Sequence, residues 1–178
     1  MRLSNKILVS EDKIKTRIRE MAVEIEKDYL DKKPVIISVL SGAYIFAADL
    51  TRCLRIKCAL DFVNVKSTEG AETGRVSAAR LFLDTDIRGR DVLILDDIYD
   101  SGETLSFLMD KILESEPASV RTAVFIEKKH SRPKKEIKID YVGFTLPDKW
   151  IVGYGMDYNG DYRGLPYIGF VEEGKQDI

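Results

Sequence analysis

The sequence predicts an α/β fold: a mainly parallel central sheet flanked by helices, with a small subdomain added over it. Three observations carry this reading. Apolar, β-branched runs at 35–40 and 92–95 have the length and composition of strands buried on both faces. Segments with apolar residues at helical spacing alternate with such runs, the mark of a parallel sheet built from crossover units. The last third is richer in strands and loops, so it forms a subdomain over the sheet rather than an independent domain. Residues 1–178 are therefore expected to make a single domain, since this length suits one full core and is too short for two.

The elements follow in order. Over 10–30 the apolar positions are Ile14, Ile18, Met21, Ala22, Ile25 and Tyr29, with charges opposite and Ser10 as N-cap. Pro34 stops that helix, and a strand over Val35–Leu40 follows. Ser41 and Gly42 make a turn, and 43–53 reads as a helix. A second strand is expected over 60–65. The polar stretch 67–75, with Gly70 and Gly74, reads as a mobile loop. Strands are expected at 78–83 and 92–95, a helix over 103–115 on Leu105, Leu108, Met109 and Ile112, and strands at 119–126, 139–144 and 167–171.

Composition excludes several function classes. The formal charge of −2 favours neither nucleic acid nor membrane. The cluster of Lys128, Lys129, His130, Arg132, Lys134 and Lys135 reads as a solvated loop between strands. No apolar run approaches spanning length, and charged residues appear at once near the N-terminus, so a cytoplasmic protein is expected. Cys53 and Cys58, with His130 the only histidine, make neither a disulfide framework nor a zinc site.

The most informative segment is the run from Val92 to Thr104. A buried strand ends in Asp96 and Asp97; Asp100 follows, and then Ser101, Gly102, Glu103 and Thr104 open a helix. Amides at a helix N-terminus are unpaired donors at the positive end of the dipole. A glycine lets the backbone curl round an anion, and Ser101 and Thr104 add hydroxyl donors, so the turn is a phosphate cradle. Three carboxylates beside a phosphate suit sugar hydroxyls, a divalent cation or a proton in transit. Taken singly, Ser-Gly-Glu-Thr is an ordinary capped turn and Asp-Asp an ordinary bend; the complete pattern between strand and helix is what carries weight.

This segment resembles the phosphoribosyl-pyrophosphate motif of the type I phosphoribosyltransferases. The resemblance implies that 100–104 hold the 5′-phosphate and that Asp96 and Asp97 meet the ribose and Mg2+. Further segments are similar to the hypoxanthine-guanine group. Leu40, Ser41 and Gly42 resemble its pyrophosphate loop, and Arg163 an arginine on pyrophosphate. Lys128 sits where the group has a lysine for the purine O6. The run from Tyr141 to Tyr158 resembles the base-binding segment, giving Lys149, Trp150, Ile151 and Asp157 as purine-binding residues, with Asp157 also serving the metal. Alone, Lys128 and Lys149 would be surface lysines, Trp150 a core tryptophan and Asp157 a turn residue, although an aromatic ring can also stack on a purine.

What the resemblance implies is transfer of phosphoribose from phosphoribosyl pyrophosphate to hypoxanthine or guanine in purine salvage. Asp100, Lys128 and Arg163 would be catalytic, under a base-binding hood formed by the C-terminal part and the N-terminus. A homo-oligomer is expected, and no nucleic acid partner. Two departures stand out. Ser41 replaces the usual lysine of the pyrophosphate loop, where the Leu–Lys peptide is often cis. In the mobile loop, Ser67-Thr68 replaces Ser-Tyr. The rivals are a nucleotide-sensing or RNA-binding regulator on the same scaffold, a phosphoribosyltransferase for xanthine or another purine, and a metal-dependent phosphatase.

Overall fold

The computed structural model describes residues 2–65, 83–129 and 136–172. In chain order the elements are β1 (Arg2–Leu3), α1 (Glu11–Asp28), β2 (Val35–Leu40), α2 (Tyr44–Cys53), β3 (Ala59–Asn64), β4 (Asp91–Tyr99), α3 (Glu103–Leu113), β5 (Ser119–Lys128), β6 (Tyr141–Leu146), β7 (Trp150–Val152) and β8 (Gly169–Glu172). Five of the strands form one sheet in the order β3-β2-β4-β5-β6, with every neighbouring pair parallel. A second, antiparallel sheet has the order β1-β8-β7 and brings the N-terminal strand beside the C-terminal one.

Alternation along the central strands sorts the core into two layers. Ile36, Leu93, Leu95, Ala123 and Phe125 face one way and pack on Ile14, Ile18, Met21 and Ile25 of α1 and Phe46 and Leu50 of α2. Val35, Ile37, Val92, Ile94 and Val124 face the other way, onto Leu105, Leu108 and Ile112 of α3. Each fully buried side chain of this kind stabilises by about 1.5–3 kcal/mol. Arg17 ties α1 to the sheet edge: its Nε donates to the Gly143 carbonyl at 3.1 Å and its Nη2 to that of Val142 at 2.8 Å. On the other edge strand, the buried Asp61 accepts from the amides of Phe62 and Thr85, at 2.8 and 2.9 Å, and so holds the returning chain against β3.

Several elements differ from expectation at their ends. Ser10 occupies the N-cap of α1 in extended conformation, but its side chain makes no capping bond. β4 runs on through Asp96 and Asp97 to Tyr99, because β5 continues beside it; Ile98 pairs with Ile126 and Tyr99 with Glu127. The strands β1 and β7 were not foreseen. They are two and three residues long, below the length at which alternation can be read. The expected loop at 67–75 and the strand at 78–82 lie outside the described residues, and Leu83 is not in a strand. Cys53 and Cys58 are free and half-buried. Among the described residues, no helix is long and apolar enough to cross a membrane.

Candidate active site

The carboxyl ends of β2, β3 and β4 open on one side of the sheet, the position where open α/β sheets bind ligands. A cleft of about 510 Å³ lies there. Leu40, Ser41 and Gly42 from the turn after β2, Asp96 and Asp97 of β4, Thr104 of α3, and Asp157 and Arg163 from the C-terminal segment all line it. Asn64 and Val65 line it too, at the end of the edge strand, where no motif pointed to them.

The Leu40–Ser41 peptide is cis. The turn it begins presses on the acid pair: a Cβ built on Gly42 would come within 1.7 Å of Asp97 Oδ2. Gly155 in turn stands on the Gly42 carbonyl, where a Cβ would meet the oxygen at 2.1 Å. Arg163 Nη1 donates to the Gly155 carbonyl at 2.7 Å, and its Nη2 pairs with Asp157 Oδ1 at 2.6 Å. The other oxygen of Asp157 accepts from the Gly160 amide at 2.7 Å. Main chain, acid pair and arginine thus form one contact chain from the sheet edge to the C-terminal segment.

Burial dominates the electrostatics of the acid pair. Asp96 is 4% exposed and accepts from the Asp97 amide at 3.0 Å. Burial, and then the neighbouring Asp97 carboxylate, push Asp96 well above the usual carboxylate range. Asp97 is also raised by burial, although hydrogen bonds and the Arg163 charge oppose the rise. Two adjacent carboxylates of this kind favour a proton or a cation. The donor set is hard oxygen, which suits a magnesium ion. Among the described residues, no three His, Cys, Asp or Glu side chains form a ligating cluster. A cation here would therefore complete its shell with water and substrate oxygens, as magnesium commonly does.

Beside the cleft, the turn after β4 enters α3 through Gly102, and Ser101 Oγ accepts from the Glu103 amide at 3.4 Å. Asp100 reaches across to β5, where its Oδ2 lies 2.7 Å from Lys128 Nζ. Lys128 also meets Asp148 Oδ1 at 3.0 Å. Burial works against the charge on Lys128, but hydrogen bonds to both acids outweigh it and hold the group above the ordinary lysine value. This lysine, grouped above with a solvated basic loop, is the least solvated member of an ion-pair cluster; residues 130–135 of that loop lie outside the described residues. Asp148 is not among the expected site residues, although it lies within the run from Tyr141 to Tyr158, directly before Lys149 and Trp150. Its contact joins the end of β5 to the turn after the neighbouring strand β6, which a linear reading does not display.

Of the remaining expected residues, Trp150 is 46% exposed, so the core alternative is excluded. Its Nε1 donates to the Asp157 carbonyl at 3.2 Å, and its ring meets Tyr158 edge-on at 5.4 Å. Ile151 is buried in the small sheet, and Lys149 places its ammonium 3.7 Å from the Phe170 ring centroid. Ser67 and Thr68 lie outside the described residues.

Comparison with known proteins shows the family and the fold. Residues 4–159 match the phosphoribosyl transferase domain family. The chain is 40% identical over 169 residues to the hypoxanthine-guanine phosphoribosyltransferase of Bacillus subtilis, covering 94% of this chain and 93% of that protein. It is 38% identical over 177 residues to the enzyme of the same name from Dictyostelium discoideum, covering 96% and 97%. The crystal structure of a hypoxanthine-guanine phosphoribosyltransferase from Bacillus anthracis superimposes with a TM-score of 0.89 at 35% identity, covering 96% of this chain and all of that one. By domain, sequence and fold alike, the chain belongs to the phosphoribosyltransferase family, in its hypoxanthine-guanine group.

Proposed function

We propose that the chain transfers a phosphoribosyl group from phosphoribosyl pyrophosphate to hypoxanthine or guanine, giving IMP or GMP and pyrophosphate, as a purine-salvage enzyme. One observation carries the reading: an acid and a lysine stand 2.7 Å apart, Asp100 in the turn that leads from β4 into α3 and Lys128 at the end of β5. The N7 and O6 atoms of a 6-oxopurine are neighbours on one edge of the base, so an adjacent acceptor and donor match them.

The residues take the following roles. Amides and hydroxyls from Ser101, Gly102, Glu103 and Thr104 hold the 5′-phosphate at the start of α3. Asp96 and Asp97 face the ribose. Together with Asp157 they hold magnesium, which when bound neutralises charge on the departing pyrophosphate. The backbone of Leu40, Ser41 and Gly42 and the Arg163 guanidinium stabilise that leaving group. Asp100 accepts the N7 proton, and Lys128 donates to O6. Trp150 stacks on the base with Lys149 nearby, and the Ile151 carbonyl accepts from a ring or exocyclic nitrogen. The β1-β8-β7 sheet is then the hood over the base. The enzyme works in a reducing compartment such as the cytoplasm, which suits the free Cys53 and Cys58. It acts as a homo-oligomer, a reading supported by exposed Tyr44 at the start of α2 and exposed Leu60 and Phe62 on the edge strand β3.

Initial rates with phosphoribosyl pyrophosphate, magnesium and hypoxanthine, guanine, xanthine or adenine test the proposal. The expected result is nucleotide from 6-oxopurines and none from adenine. Folded protein that binds the donor yet turns over no base would overturn it. In the same assay, Lys128→Ala should raise the KM for hypoxanthine far more than that for the donor.

A further inference from the structure

The lysine proposed to meet O6 has a second acidic partner for which those roles have no use. Lys128 Nζ touches Asp100 Oδ2 and Asp148 Oδ1 at 2.7 and 3.0 Å, and of the three side chains it is by far the most enclosed, 14% exposed against 52% and 59%. The acids approach from different parts of the fold. Asp100 follows β4, whereas Asp148 lies in the turn between β6 and β7 that also carries Lys149 and leads into Trp150. The chain just past β5 is tied to the end of β6, immediately before that turn, since the Lys129 amide donates to the Leu146 carbonyl at 2.7 Å.

Two demands on Asp100 conflict. As proton acceptor it must face N7–H of the purine, yet its Oδ2 is turned to the Lys128 ammonium at 2.7 Å. If Asp100 were the sole anchor of Lys128, turning toward N7 would release the lysine just as O6 needs it. An ammonium has more than one N–H donor, so contact with Asp148 does not prevent donation to O6. Resting on the function proposed above, we propose that Asp148 is a positioning residue for 6-oxopurines: it keeps the Lys128 ammonium at O6 while Asp100 engages the N7 proton. Hydrogen bonds donated by Lys128 to both acids, which offset its burial, agree with a charge built to be shared.

The test measures IMP binding by calorimetry, and steady-state KM for hypoxanthine and for phosphoribosyl pyrophosphate. It uses the wild-type chain, Asp148→Asn, Asp148→Glu, Lys128→Ala and the double variant Asp148→Asn/Lys128→Ala. Asp148→Asn should weaken IMP binding and raise the hypoxanthine KM about tenfold, the scale of one charge-assisted hydrogen bond, with the donor KM unchanged. Asp148→Glu should recover most of the loss. In the Lys128→Ala background, Asp148→Asn should add nothing, because its effect passes through the lysine. Equal losses of IMP binding in both backgrounds, or an unchanged hypoxanthine KM in Asp148→Asn, would overturn the assignment while leaving the enzyme's activity in place. Failure of the wild-type chain to form IMP would instead overturn the functional reading, and this one with it.

Discussion

Gly42 and Asp97 are in contact with no side chain between them: any Cβ on Gly42 would land 1.7 Å from the Asp97 carboxylate. Gly42→Ala must displace Asp97 or the turn itself. A displacement on the order of 1 Å at a reacting centre can cost about 100-fold in rate. The variant is expected to lose about 10- to 100-fold in kcat/KM for phosphoribosyl pyrophosphate. Initial rates at varied donor concentration check this; a value near wild type would mean the contact is slack.

Asp96 gives a pH signature. Its native pKa is raised by burial and by Asp97, so its contribution to stability is fully present below the unfolded value of about 3.9 and is lost as pH rises through the native value. Asp96→Asn keeps an oxygen for the Asp97 amide and removes the titration. Without magnesium, the variant should match wild type near pH 4 and melt higher above it, by roughly 2–4 °C for each 1 kcal/mol relieved. Thermal melts from pH 4 to 8 decide the matter, and equal profiles would contradict the raised value.

Asp100→Asn tests the proton acceptor. A positioned general base contributes about 10²–10⁴-fold, and kcat should fall by that much while donor binding is kept. Calorimetry with phosphoribosyl pyrophosphate, beside single-turnover rates, separates the two. A near-normal rate would remove Asp100 from the chemistry.

Trp150 is half-exposed and held at its indole N–H by the Asp157 carbonyl, so its ring is positioned without being buried. Stacking of a base on an aromatic ring is worth about 1–3 kcal/mol. Trp150→Ala should therefore raise the hypoxanthine KM by roughly 10- to 100-fold, and Trp150→Phe should restore most of it. Fluorescence quenching of this single tryptophan by IMP gives an independent reading.

Much of this was legible in the sequence because periodicity and burial coincide there. The run over Val35–Leu40 is a strand with the expected bounds, and the apolar stripe from Ile14 to Ile25 is the buried face of α1. The acidic turn was legible because its residues are consecutive, and they arrive together at the end of β4. What could not be read depends on distant partners. β4 extends through two acids because β5 lies beside it, β1 exists because β8 does, and Asp148 meets Lys128 across strands β5 and β6. Asn64 lines the cleft only because β3 pairs in register with β2, Asn64 beside Leu40.

Gly155 resting on the Gly42 carbonyl has a bearing on inhibitor chemistry. The spacing between the sheet-edge turn and the segment that follows Trp150 is set by main chain against main chain, with no side chain that can swing aside to adjust it. A molecule joining a base mimic to an anionic leaving-group mimic would have a single tether length to find. Ligands with graded tethers should show a sharp optimum in affinity, and a tether one methylene too long should be rejected instead of accommodated.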